Sequence, residues 1–122
     1  MLSPADGRPM YLQIMEQIKH KIAAGDWPPG RMVPSIRQLA VDLRISVITV
    51  RRAYQELERE GVILTRAGKG SFVAENLEPI RAGAREELTR HLKRSVQLGK
   101  AMGLSLEALT RQLKDTFQDE ER

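Results

Sequence analysis

Residues 35–73 read SIRQLAVDLRISVITVRRAYQELEREGVILTRAGKGSFV, and the pattern of this segment indicates the fold of the chain. Ser35 and Ser46 each precede an apolar segment of helical period, and serine is a preferred N-cap because its side-chain oxygen accepts a hydrogen bond from a free amide of the first turn. Gln38 follows Ser35 by three residues, as in a capping box. The predicted helices are 35–44 and 46–60. Two short helices joined by a turn of three or four residues are typical of a helix-turn-helix.

The residues after the second of these helices predict a β-hairpin. Residues 62–66 (VILTR) alternate in the manner of a strand, and residues 71–74 can pair with them. Between the two strands, Gly68 and Gly70 provide the backbone freedom that a tight turn needs. A helix-turn-helix followed directly by a hairpin is a winged helix, so the sequence predicts a mainly α fold with one small β-hairpin.

Helical patterns flank this motif on both sides. Upstream, apolar residues recur at three- and four-residue spacing and predict a helix over 10–24. These residues are Tyr11, Ile14, Met15, Ile18 and Ile22. Downstream, residues 75–79 are typical of a linker, and helices are predicted over 80–102 and 105–118. We therefore expect a winged helix-turn-helix domain at 10–75 and a helical dimerisation region at 80–118.

The predicted C-terminal hairpin carries an apolar stripe along one side. The stripe consists of Leu88, Leu92, Val96, Met102, Leu106, Leu109, Leu113 and Phe117. Two helices cannot bury such a stripe alone, so the hairpin either folds back on the winged domain or pairs with a second copy of the chain. We favour pairing, because C2 dimers are the commonest oligomers and two hairpins form a self-complementary four-helix arrangement. The stripe is thus the predicted homodimer interface.

Charge is concentrated in one part of the chain. The 122 residues include 20 Lys and Arg against 16 Asp and Glu, a net charge of +4. The stretch 31–55 alone carries +4, from Arg31, Arg37, Arg44, Arg51 and Arg52 against Asp42. A local basic face is what a polyanionic partner requires, and the plain alternative is a solvated helix face.

The first two turns of the second helix in the motif supply the candidate base contacts. They present Val47, Ile48, Thr49, Arg51 and Arg52. In helix-turn-helix docking these turns enter the major groove, where arginine pairs with guanine, threonine bonds a base edge or phosphate, and an apolar side chain touches a thymine methyl. A core position under the preceding helix is the alternative for Val47.

Five further positions flank that helix in the predicted DNA interface. Ser35 could donate to a phosphate at a helix N-terminus, and Arg37 lies on the same first turn. A surface arginine and an ordinary cap are the alternative there. Gly68, Lys69 and Gly70 at the hairpin tip would approach a minor groove or a flanking phosphate, although a tight turn requires glycine in any case.

Other function classes find little support. The chain has no cysteine, which excludes disulfide frameworks, thiolate metal sites and cysteine nucleophiles, and it has no apolar run long enough to span a membrane. The two histidines are far apart, and His91 with Glu87 reads as a surface pair four residues apart. We expect a cytoplasmic protein with no enzymatic activity, no metal and no cofactor. A protein-interaction module that uses Val47 and Ile48 is the alternative.

Several of these runs resemble the N-terminal domain of the GntR family. The matching runs are Pro29-Gly30, 33–40 (VPSIRQLA), 49–54 (TVRRAY), Leu57-Glu58 with Glu60-Gly61, and 68–73 (GKGSFV). They cover residues 10–74 densely and in order. The short helical remainder resembles the YtrA subfamily, whose members have only two helices after the winged domain.

The resemblance implies a bacterial transcription regulator, usually a repressor, that binds double-stranded DNA as a homodimer on a palindromic operator. In the family, the positions of Arg37, Arg51 and 46–49 contact DNA, which adds Ser46 to the candidates, and the wing enters the minor groove. YtrA-like members often control ABC transporter genes. Many relatives have Arg or Pro at the position of Val47, so we expect the operator sequence to differ. An unidentified small-molecule effector, bound at the dimer seam, is left open.

Overall fold

The computed structural model describes Leu2 and residues 7–121, and within them it has five helices and one antiparallel hairpin. The elements are α1 (Met10–Ala23), α2 (Ile36–Leu43), α3 (Val47–Arg59), β1 (Ile63–Arg66), β2 (Gly70–Val73), α4 (Glu78–Ala101) and α5 (Leu106–Glu120). The mainly helical winged fold predicted from the sequence is confirmed. The chain divides into two compact units, Met1–Ala84 and Arg85–Arg122. None of the described helices combines the length and apolar character needed to cross a membrane.

Both helices of the helix-turn-helix begin at the predicted serine caps. Ser35 Oγ accepts from the amide of Gln38 at 3.0 Å, and Ser46 Oγ accepts from the amide of Thr49 at 3.1 Å. The capping box is only half formed, because the Gln38 side chain donates to Asp42 Oδ1 at 2.7 Å instead of returning to the cap. A carboxylate one turn ahead is a charged acceptor, and hydrogen bonds to charged groups are the stronger ones.

The turn between α2 and α3 is closed by two backbone hydrogen bonds. The amide of Ile45 donates to the carbonyl of Ala40 at 3.0 Å, and that of Arg44 donates to the carbonyl of Val41 at 3.2 Å. This is a Schellman arrangement, in which the residue after the helix adopts the left-handed conformation. Arg44 takes that conformation here, with φ 57° and ψ 47°.

The core of the first unit is formed by α1, α2 and α3 together with the hairpin. Its fully buried large side chains are Ile14, Ile22, Val50, Leu57, Ile63 and Val73. Tyr54 is also buried, and its hydroxyl donates to the carbonyl of Pro34 at 2.7 Å, which ties α3 to the segment that enters α2. Burial raises the pKa of Tyr54 to about 12.

The hairpin has a third extended segment beside it that the sequence did not predict. Strands β1 and β2 pair in the register Ile63↔Val73 to Arg66↔Gly70. On the other edge of β2, the amide of Val33 donates to the carbonyl of Ser71 at 2.9 Å, and Met32 forms a bridge to Phe72. Because β2 is paired on both edges, the wing is braced against the segment that leads into α2.

The second helical region starts earlier than predicted. Helix α4 begins at Glu78, so the last two residues of the expected 75–79 linker are helical. Proline is tolerated in a first helical turn because its missing N–H would have no intrahelical partner there. The side chain of Asn76 accepts from the amide of Glu78 at 3.1 Å and completes this start. At the other end, α5 continues to Glu120, two residues beyond the predicted limit.

A compact turn joins the two helices of the second unit. The amide of Leu104 donates to the carbonyl of Gly99 at 2.9 Å, and Gly103 stands in the left-handed conformation with φ 75°. Ser105 Oγ caps α5 by accepting from the amide of Ala108 at 3.1 Å. A side chain at Gly99 would place its Cβ 3.2 Å from Leu109 Cδ2, so the two helices approach closely because position 99 has no side chain.

Candidate nucleic-acid interface

Helix α3 has one face in the core and one face open to solvent. Its buried face consists of Val50, Ala53, Tyr54 and Leu57. On the opposite face Ile48 is 75% exposed, and Arg51 and Gln55 are also exposed. A large apolar side chain beside a free arginine at the start of a helix-turn-helix recognition helix suits a groove that offers thymine methyls and guanine edges.

Val47 and Ile48 are neighbours in sequence but differ in surroundings. Val47 is half-buried and packs against the core, whereas Ile48 is open. The core role that the sequence left open for Val47 is therefore the one that its packing favours. Ile48 is the apolar side chain of this turn that remains available to a partner.

Ser46 and Thr49 form a polar pair at the N-terminus of α3. Their hydroxyl oxygens are 2.8 Å apart, and Ser46 Oγ also accepts the amide of Thr49. The mutual bond uses one of the two hydroxyl protons, so the other stays available. A hydroxyl donor at a helix N-terminus is suited to a phosphate oxygen, since the helix dipole adds a partial positive charge there.

The five arginines of the 31–55 stretch fall into two groups. Arg31 donates to the carbonyl of Asp26 at 2.9 Å. The guanidinium of Arg52 lies over the ring of Tyr11, 4.3 Å from its centroid, and 3.5 Å from Glu56 Oε1. By contrast, the side chains of Arg37, Arg44 and Arg51 are exposed and make no hydrogen bond or ion pair in the described part of the chain. These three keep all their donors for an external anion.

Arg52 was predicted to bind DNA, and its contacts favour another role. It lies on α3 next to Arg51, but its side chain contacts Tyr11 of α1 and also donates to the Tyr11 hydroxyl at 3.3 Å. A cation over an aromatic face is attracted by the ring quadrupole. The contacts of Arg52 thus hold α3 on α1, while Arg51 has no such attachment.

At the first turn of α2, Ser35 and Arg37 are both exposed. The Ser35 oxygen already accepts from the Gln38 amide, but its own hydroxyl proton remains free to donate. Capping and phosphate contact are therefore compatible at Ser35. Arg37 extends the set of unpartnered cations from α3 to α2.

The wing tip presents Lys69 on a turn that requires two glycines. Gly68 has φ 76° and Gly70 has φ 114°, conformations that side chains rarely adopt, and the amide of Lys69 closes the turn on the carbonyl of Arg66 at 2.9 Å. The turn geometry explains both glycines by itself. The Lys69 side chain is exposed and has no hydrogen-bond or ion-pair partner within the described residues, whereas the guanidinium of Arg66 on the same hairpin lies over the Phe72 ring, so Lys69 is the unpartnered cation at the wing tip.

Comparison with known proteins gives this architecture a family. The model of "Bacterial regulatory proteins, gntR family" matches residues 10–73. The chain belongs to the GntR family. Over 119 residues it is 34% identical to the HTH-type transcriptional repressor YtrA of Bacillus subtilis (strain 168). The aligned segment covers 97% of this chain and 92% of that protein.

Solved structures agree with the GntR assignment. A transcriptional regulator from Oenococcus oeni superposes with a TM-score of 0.76 at 29% identity, covering 94% of this chain and 96% of that one. The AraR DNA-binding domain in complex with operator ORX1 superposes with a TM-score of 0.55 at 29% identity, covering 61% of this chain and 92% of that one. The chain is therefore a DNA-binding transcriptional regulator. Its family consists of transcription regulators and not of enzymes.

The helical hairpin that follows the GntR domain exposes most of its apolar stripe. Leu88, Leu92, Val96, Met102, Leu106, Leu113 and Phe117 are all exposed. Leu109 differs from the other predicted interface residues, because it is half-buried against Gly99 within the protomer. Between α4 and α5 lies an apolar groove of about 460 Å³. His91 Nε2 lies 4.0 Å from Glu87 Oε1, so these two residues form the predicted surface pair four residues apart.

Sequence reasoning overlooked Gln55 as a member of the exposed α3 face. It follows Arg51 by four residues, so the helical period that defined the buried side also places Gln55 beside Arg51. The helical period was therefore the sequence signal that could have identified Gln55. An amide at this position has both donors and acceptors, as adenine recognition requires.

Proposed function

We propose that this GntR-family regulator is a cytoplasmic repressor that binds a palindromic operator as a homodimer. The observation that carries the proposal is the set of three unpartnered arginines, Arg37, Arg44 and Arg51, beside the open side chain of Ile48. The similarity to YtrA, which is named a transcriptional repressor, supports the sign of regulation. Genes for an ABC transporter are the regulated genes that the YtrA-like resemblance favours.

In this proposal α3 lies in the major groove with its first two turns against the bases. Arg51 pairs with a guanine edge, Ile48 contacts a thymine methyl, and the hydroxyl pair of Ser46 and Thr49 donates to a phosphate. Lys69 on the wing supplies charge to the minor groove or to a flanking phosphate. Contacts to phosphate fix the position of the protein, and contacts to base edges select the sequence.

The dimer is proposed from the open apolar stripe of α4 and α5. Contiguous exposed apolar surface marks an interaction site, and the occupant we propose is a second copy of the chain. Charge supports this choice, since α4 carries six basic and three acidic side chains while α5 carries two basic and four acidic. An α4 of one protomer facing an α5 of its partner would pair opposite net charges. A small-molecule effector, if the regulator has one, would bind in the groove at this seam.

Repression in this arrangement is steric. Two α3 helices related by a two-fold axis occupy successive major grooves, about 34 Å apart, and the bound dimer blocks access of polymerase to the promoter.

The decisive experiment is fluorescence anisotropy with two duplexes, a palindrome from the promoter region of the protein's own gene and a scrambled sequence. Both are measured at one salt concentration near the physiological value. We expect binding to the palindrome roughly a thousandfold tighter than to the scramble. With about eight phosphate contacts, log K should fall with log salt at a slope near −7. Absence of binding to either duplex at low salt would refute DNA recognition. Salt-independent binding of a protein ligand through Ile48 would favour the interaction-module alternative.

Arg51 and Arg52 form a matched pair of neighbouring arginines. We expect Arg51→Ala to cost about 1–3 kcal/mol of operator binding and to relax selectivity at one base pair, because it removes a base-edge contact. Arg52→Ala should instead lower the unfolding temperature, because it removes the contact with Tyr11. Both variants are measured by thermal unfolding and by anisotropy against operator variants. A uniform loss over all duplexes for Arg51→Ala would make Arg51 a phosphate contact.

The dimer is tested with Leu113→Asp, in the middle of the exposed stripe. A carboxylate there would be desolvated on pairing, so we expect a monomer at micromolar concentration by analytical ultracentrifugation and a loss of operator affinity. Gln118→Asp adds the same charge to the polar side of α5 and should remain dimeric. A dimer that survives Leu113→Asp would place the interface elsewhere.

A further inference from the structure

The turn of the helix-turn-helix contains an arginine in a conformation that normally belongs to glycine. Arg44 has φ 57° and is the one non-glycine residue with positive φ among the described residues. The left-handed region brings Cβ close to the following carbonyl oxygen, so a residue with a side chain is disfavoured there relative to glycine. The position after a helix end is also where glycine is most common.

No side-chain contact within the described residues compensates this cost. Asn and Asp tolerate the left-handed region because their short polar side chains bond the local backbone, which arginine at this position does not do. The Arg44 side chain is exposed and makes no hydrogen bond, ion pair or ring contact in the part of the chain that the structure describes. The turn itself is closed by the backbone amides of Arg44 and Ile45, and glycine would form the same bonds.

We infer that Arg44 is a DNA-backbone contact, which binds a phosphate beside the major-groove segment that α3 reads. This inference rests on the proposed function. The turn leads directly into the Ser46 cap and the amides at the N-terminus of α3, a location that attracts phosphate. A guanidinium binds phosphate through two parallel hydrogen bonds, which a glycine cannot replace.

A second role for Arg44 has to be separated from this one. A cation just after the last turn of α2 interacts favourably with the negative end of that helix. If this interaction were the purpose of Arg44, replacing it with glycine would lower the stability of the protein. If the purpose is DNA contact, glycine relieves the backbone and raises stability while it weakens binding.

The experiment compares Arg44→Gly and Arg44→Lys with the wild-type chain by thermal unfolding and by anisotropy at several salt concentrations. For Arg44→Gly we expect a rise of about 2–6 °C in Tm. We also expect binding weaker by about 3–10-fold for the operator and the scrambled duplex alike, and a salt slope shallower by nearly two for a dimer. Arg44→Lys should keep the salt slope and the wild-type Tm.

The control is Arg111→Gln, which removes one charge from the polar side of α5. It should leave both the salt slope and the affinity unchanged, which separates a contact from an effect of net charge. Arg44→Gly with unchanged slope and affinity would overturn the inference while the wild-type chain still binds its operator. A lower Tm with unchanged binding would assign Arg44 to the end of α2. If the wild-type chain binds neither duplex, the proposed function fails and this inference fails with it.

Discussion

The two units of the chain use their apolar residues in opposite ways. In the first unit the apolar side chains of three helices and a hairpin converge, and the buried hydrophobic residues of the described chain all lie between Ile14 and Leu77. In residues 85–121 only Gly99 is buried, and Phe117 is 65% exposed. The first unit has a complete core, whereas the second has helices with caps and a turn but no interior of its own.

The difference shows that a sequence can specify regular helices without also specifying a stable core. Ser105 caps α5 and Gly103 ends the turn after α4. In the first unit, Ser46 caps α3 and Arg44 ends α2 in the same way. What residues 85–121 lack is a buried apolar core of their own. Because an amphipathic helix gains most of its stability from packing, the second unit is the part that a partner would stabilise.

The comparison is tested most strongly by removing the same side chain from each unit. Leu57→Ala deletes a side chain with no exposed surface, so we expect a loss of about 2–5 kcal/mol in the free energy of unfolding. Leu113→Ala deletes one that is 56% exposed in the protomer and should change the stability of the monomer by less than about 0.5 kcal/mol. Urea unfolding of dilute protein measures both. Equal losses would mean that the hairpin has a core after all.

The next largest effect concerns the close contact between Gly99 and Leu109 inside the hairpin. Gly99→Leu places a side chain where Leu109 already lies, so we expect the hairpin to lose about 1–3 kcal/mol and its helical signal to unfold earlier. Gly83→Leu is the matched control on the same helix, because a Cβ at that position meets no described atom within 4 Å apart from its chain neighbours and its own helical backbone. Circular dichroism during thermal unfolding separates the two variants. If both variants unfold alike, the close approach at Gly99 does not limit the hairpin.

The smallest effect concerns the buried hydroxyl of the first unit. Tyr54→Phe removes the hydrogen bond to Pro34 and should cost about 1 kcal/mol at neutral pH. Tyr11→Phe is the control, because its hydroxyl only accepts a 3.3 Å bond from Arg52 and its loss should cost less.

Tyr54 also makes the free energy of unfolding depend on pH in the alkaline range. Its folded pKa of about 12 lies above the value of 10 in the unfolded chain, so the folded state holds the proton longer. The stability contributed by this proton is fully present below pH 10 and is lost as the pH rises from 10 to 12. The difference in unfolding free energy between the wild-type chain and Tyr54→Phe should shrink over that range. A constant difference would show that the hydroxyl ionises normally in the folded protein.

Several parts of the interface could be predicted because they depend on neighbours in sequence. Ser35 and Ser46 cap their helices through amides three residues away, and the wing turn depends on Gly68 and Gly70 and on a bond between Lys69 and Arg66, three residues apart. The 31–33 segment beside β2 could not be found in this way. Its pairing partner Ser71 is almost forty residues away, and three residues show no strand period of their own.

The order of helices and strands, their caps and turns, and the apolar side of each helix could be read from the sequence, because these features follow from interactions over three or four residues. Which basic side chains remain free, by contrast, is known from the folded chain and not from its local patterns. Arg51 and Arg52 are identical neighbours, and the packing of Tyr11 against α3, 41 residues away in the chain, holds one and leaves the other open. Such a choice depends on where distant side chains meet, which local patterns do not contain.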